Sequence, residues 1–74
     1  MYNFKAGDLI LEHTTNTQHV GLVIDTWDDY MVEKMIRINW TRKLDGTQYS
    51  WEYGKEYLIK KIITKKMKYI PVKE

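Results

Sequence analysis

The strongest constraint on this chain is an alternation of side chains with period two. In "MIRINW", Ile36, Ile38 and Trp40 fall on one side of an extended backbone, and Met35, Arg37 and Asn39 on the other. "HVGLVIDTW" repeats the pattern, with Val20, Leu22 and Ile24 on one face and His19, Gly21, Val23 and Asp25 on the other. Both stretches are rich in β-branched and aromatic residues, so they predict two strands. Asp45-Gly46 then marks a hairpin, which makes "TQYSW" a further strand with Tyr49 and Trp51 on one face. Upstream, a turn at Ala6-Gly7-Asp8 feeds a first strand over Leu9 to His13. "TTNTQ" reads as a loop and "DDYMVEK" as the tip of a long hairpin. Gly21 inside a strand signals a bend, a bulge or a close backbone approach.

After "EYGKEY", a short helical or 3₁₀ turn, "LIKKI" is expected as the fifth strand. The competing reading is a helix over Lys55 to Tyr69, in which Leu58, Ile59, Ile62, Ile63, Met67 and Ile70 form an apolar stripe. Pro71 limits any helix beyond it. Short strands joined by tight turns predict an all-β fold, a small five-stranded barrel over residues 1–62. A basic C-terminal extension follows over residues 63–74. Barrel closure removes exposed strand edges, which otherwise template aggregation.

Length matters to how such a fold is held. Seventy-four residues suit one domain, and a chain of this size buries only about 60% of its unfolded surface. With no cysteine there is no disulfide and no thiolate zinc site, and His13 and His19 are too few for a structural metal. Packing must do the work, and an aromatic fraction of 14% suits it. The longest apolar runs, "LIL" and "VGLVI", fall far short of the roughly 20 residues that span a bilayer, so a soluble, cytoplasmic protein is expected. Net charge is +2 but is unevenly spread. Residues 1–59 carry six Lys/Arg against nine Asp/Glu, and residues 60–74 carry six Lys against one Glu.

"FKAGDLIL", "HVGLVID", "IRINW" and "YSWEYGKEYLIKKI", in that order, resemble the small SH3-like barrels, especially a type encoded by bacteriophages. Phe4, Gly7, Asp8, Leu9, Gly21, Val23, Ile24, Trp40, Trp51, Leu58 and Ile62 carry the resemblance. It implies a five-stranded barrel with a helical turn before its last strand. It also implies a small accessory protein in the host cytoplasm, whose target is a larger protein such as a host or phage nucleic-acid machine. The fold itself hosts many functions.

Two groups of residues are candidates for binding. Trp40 is in phase with Ile36 and Ile38 and is expected in the core; Trp51 is open between core and surface. Trp27 and Tyr30 flank Asp28 and Asp29 in the acidic loop. With Trp51 and Tyr53 they form the expected protein-binding set, and Tyr49 can join it. The loop's spacing does not match an EF-hand. Lys60, Lys61, Lys65, Lys66, Lys68 and Tyr69 form the expected nucleic-acid-binding set, extendable by Arg37, Arg42 and Lys43; a solvated tail is the alternative. Catalysis finds little support. The chain lacks a thiol nucleophile, Ser50 has no elbow-like context, and the two histidines have only a hairpin to bring them together. The expectation is therefore a binding module without enzyme activity, cofactor, metal or membrane contact, with homo-oligomer formation left open.

Overall fold

The alternating segments become an antiparallel sheet in a computed structural model that describes residues 2–13, 18–30 and 33–73. Its elements are β1 (Leu9–His13), β2 (Gln18–Asp28), β3 (Lys34–Arg42), β4 (Gln48–Gly54), α1 (Lys55–Ile63) and β5 (Met67–Ile70). The sheet has five strands in the order β4-β3-β2-β1-β5, every pairing antiparallel. The last strand lies on the first, but β4 and β5 remain opposite edges, so the expected barrel is an open sheet.

One face of the sheet is the core. Ile10, Val23, Ile36, Ile38 and Trp40 are buried there, closed over by Phe4, Leu58 of α1 and Met67 of β5. Trp40 is fully buried, as its phase predicts. Register places Gly21 opposite Trp40. A Cβ on Gly21 would lie 2.6 Å from Ile38 Cγ2 and 2.7 Å from Trp40 Cζ3, so this glycine marks a close approach. The bulge of β2 comes later, between Val23 and Asp25. Because the Trp40 ring takes the space beside Gly21, the Gly21/Val23 face of β2 turns inward. Leu22 and Ile24, on the more apolar face, are left about 40% exposed (41% and 42%).

The segment "LIKKI" is helical, not a strand. Extended, it would place a lysine among the apolar residues on each face. Helical, it sends Leu58 into the core and packs Ile59 and Ile62 beside it, with Lys60 in solvent. The helix is shorter than the Lys55 to Tyr69 alternative. Lys65 adopts φ 63°, its N–H donates to Ile62 O, and the Lys66 N–H donates to Lys61 O. That bonding pattern is a Schellman stop. The Thr64 hydroxyl donates to Lys60 O at 2.8 Å. Released from the helix, Met67–Ile70 pairs with Leu9–Glu12 as β5. The segment read as an extension thus supplies a strand of the sheet.

Asp8 ties this C-terminal strand to the N-terminal turn. It is wholly buried. Its Oδ2 accepts from the Tyr69 hydroxyl at 2.6 Å and from the Lys5 N–H at 2.9 Å, and its Oδ1 accepts from the Val72 N–H at 2.8 Å. Burial alone would raise the Asp8 carboxyl. The bonds from Tyr69, Val72 and Lys5, with the Lys5 charge, outweigh that and hold it below the usual carboxylate range. Burial, the bond to Asp8 and the Asp8 charge push the Tyr69 hydroxyl up to about 12.

Candidate binding groove along β4

β4 is the outermost strand beside β3, and its first five residues are exposed. Tyr49, Trp51 and Tyr53 stand opposite Trp40, Ile38 and Ile36, so their rings belong to the core-side face of the sheet. At the edge, however, the core runs out of covering chain. Trp51 is 62% exposed and Tyr49 and Tyr57 nearly half exposed. Tyr53 is anchored: Trp40 Nε1–H donates to its hydroxyl at 2.9 Å. Burial pushes that hydroxyl up, against the opposing effect of the Trp40 bond. Across the strand–helix junction, Tyr57 stacks on Tyr53 with centroids 5.6 Å apart and rings 11° from parallel. Gly54 caps the helix in an extended conformation, beside the end of the Glu33 side chain.

Three hollows run along these rings. One of about 380 Å³ is lined by Ser50, Trp51 and Glu52. The next, about 400 Å³, shares Trp51 and Glu52 and reaches Tyr53, Gly54 and Tyr57. The third, about 310 Å³, shares Tyr57 and ends among Lys60, Lys61 and Lys66. The Lys61 ammonium lies 5.4 Å from the centre of the Tyr57 ring, within cation–π range. Glu52 is held by Arg37, whose Nη2 is 2.6 Å from its Oε2. Aromatic surface thus fills the middle of the groove and positive charge gathers at its helical end.

The predicted protein-binding residues do not assemble into one patch. Trp51 and Tyr53 lie in the groove. Trp27 stands opposite Met35, on the other face of the sheet from them, with the Arg37 guanidinium 5.2 Å from its ring. Asp28 pairs with Lys34 at 3.6 Å. Tyr30 is fully exposed, its N–H held by the Asp29 carboxylate. The predicted basic set divides as well. Lys60, Lys61 and Lys66 end the groove, whereas Lys65, Lys68 and Tyr69 line a separate hollow of about 470 Å³ with Tyr2, Ile62 and Met67. Tyr69 has its hydroxyl committed to Asp8. Of the proposed extensions, Arg37 is committed to Glu52, and Arg42 lies 3.6 Å from Asp45. Register pairs His13 with Gln18 and His19 with Glu12. The His19 Nδ1 is 3.6 Å from the Glu12 carboxylate.

Tyr57 is the groove residue that sequence reasoning missed. Tyr53 lies in β4 and Tyr57 in the first turn of α1, so their stacking depends on how strand meets helix, which no spacing in the sequence announces. Among the described residues no cluster of three or more His, Asp or Glu is placed to hold a metal, and no helix is long and apolar enough to cross a membrane. Compared with protein-family models, curated proteins and solved structures, the chain matches none.

Proposed function

We propose that this chain is a non-enzymatic binding module that attaches to a larger protein through the ring-lined groove of β4. One observation carries the reading: Trp51 stands 62% exposed on the same sheet face that buries Trp40. A chain this small gains most by burying its large rings, and one left bare on the core-side face suits a partner that covers it. The finer reading is an SH3-like barrel, in open form, of the phage-encoded accessory type, acting in the cytoplasm of the host. The helix before the last strand and the pairing of that strand with the first support it. A host or phage nucleic-acid machine is the kind of target the resemblance implies. The test is capture from host lysate by the immobilised chain and by its Trp51→Ala variant. A partner recovered reproducibly by the first and lost by the second is expected. Nothing recovered, alongside tight binding of DNA or RNA, would overturn the reading.

A second reading is direct nucleic-acid binding. Its support is the coincidence of lysines with rings in two hollows, Lys60, Lys61 and Lys66 with Tyr57, and Lys65 and Lys68 with Tyr2 and Tyr69. Binding to a single strand through three lysines would give a slope of about −2 in log affinity against log salt. No binding at low salt removes this reading. A third, structural, reading rests on the two free sheet edges, which can join copies of the chain into rings or dimers; light scattering at two concentrations tests it.

A further inference from the structure

The occupant of the groove can be specified by its chemistry. We infer that β4 accepts, as a sixth strand, an extended peptide segment of the partner whose acidic residues precede its apolar ones. This deepens the proposed function and rests on it. Three observations on the groove lead to it.

First, β4 is an edge of the sheet, seven residues long, and exposed over Gln48–Glu52. Its outward amides and carbonyls are a template for another strand. In such strand addition the main chain supplies affinity and alternate side-chain sites supply specificity. Tyr49, Trp51 and Tyr53, spaced by two, provide that alternation. Second, the charge is confined to one end. Lys60, Lys61 and Lys66 surround the hollow beyond Tyr57, while the Glu52 carboxylate is held by Arg37 on the face of the sheet away from the rings. A polyanion running the whole groove would find cations only at its end. A peptide with a local cluster of carboxylates matches the distribution better. Third, the lysine end follows the C-terminus of β4. Every pairing in this sheet is antiparallel, and antiparallel pairing is somewhat the more stable per residue. An incoming antiparallel strand therefore presents its N-terminal part to the lysines, which sets the order of acidic before apolar.

Synthetic peptides test this directly: an aspartate cluster followed by alternating valine and tyrosine, the same residues with the cluster placed last, and a neutral version with asparagines. The first should bind best and should slow hydrogen exchange of the β4 amides over residues 48–52. Lys60→Glu together with Lys61→Glu should weaken it about tenfold. The neutral peptide should not respond to that double variant. Equal binding of all three peptides, or binding without protection of β4, overturns the inference while leaving the groove as a protein site. Trp51-dependent capture of a partner, with none of the peptides binding, has the same consequence. Preference for a single-stranded oligonucleotide over every peptide overturns both, and so does self-association that competes with the peptides and is unaffected by Trp51→Ala.

Discussion

At the scale of single residues, Asp8 and Gly21 show two ways in which a small side chain holds this chain together. Asp8 is a buried carboxylate that accepts one bond from Lys5 and two from the C-terminal segment, at Tyr69 and Val72. Its folded-state value is depressed, so its contribution is complete above the unfolded value of about 4 and is lost as pH falls through the folded one. Thermal melts across the acid range should show that loss in the wild type and a flatter profile in Asp8→Asn. The variant itself should be less stable by about 1–3 kcal/mol, because its amide cannot accept from every donor aimed at it. Tyr69 has the opposite sign. Its hydroxyl is raised to about 12, so the stability it provides is intact below the ordinary tyrosine value of about 10 and fades as pH rises toward the folded value. Tyr69→Phe should remove that alkaline loss. Gly21→Ala should cost about 1–3 kcal/mol in denaturant unfolding, since the added methyl meets Ile38 and Trp40 with no room to yield.

The instructive element is α1 with the strand it releases. Its last turn carries Lys60 and Lys61, which suit the negative end of the helix dipole. The helix then stops on Lys65, a side-chain-bearing residue in the left-handed region. Glycine fits that position without the steric penalty, so Lys65→Gly should raise stability by about 1 kcal/mol, seen as a higher melting temperature. If Lys65 also contacts a ligand from its hollow, binding would weaken even as stability rises, which separates the two roles. From the sequence, the fifth strand is expected at "LIKKI" and "MKYI" falls in the extension, whereas the chain puts the helix first and the strand after it. Leu58, Ile59 and Ile62 have helical spacing, and "MKYI" alternates, but the apolar stripe runs on through Met67 and Ile70. No residue between them announces a stop, because the stop is a lysine. The strand starts where it does because β1 offers Leu9–Glu12 as a partner, and that partner is remote in sequence.

For the molecule as a whole, the decisive question is which face of the sheet is core. Ile38→Ala should cost about 2–5 kcal/mol and Leu22→Glu less than about 1 kcal/mol, measured by denaturant unfolding. Reversed costs would mean that the outer face is the buried one. Alternation over β2 and β3 was legible early, as were the Asp45-Gly46 turn, the burial of Trp40 and the special character of Gly21. These depend on neighbours along the chain and on the two-residue repeat of an extended backbone. The orientation of β2 was not legible, because its more apolar face lies outward; the bulk of Trp40 opposite Gly21 decided it. The candidate site was half legible. Trp51, Tyr53, Lys60, Lys61 and Lys66 were singled out, but Trp27 and Asp28 were grouped with rings that stand on the opposite side of the sheet. Local pattern determined that this chain forms short strands and where most of them run. Tertiary structure decided that the sheet stays open, that its end is a strand rather than a tail, and that rings and lysines share one groove. Those outcomes turn on pairings between distant segments, whose energies a linear pattern does not contain.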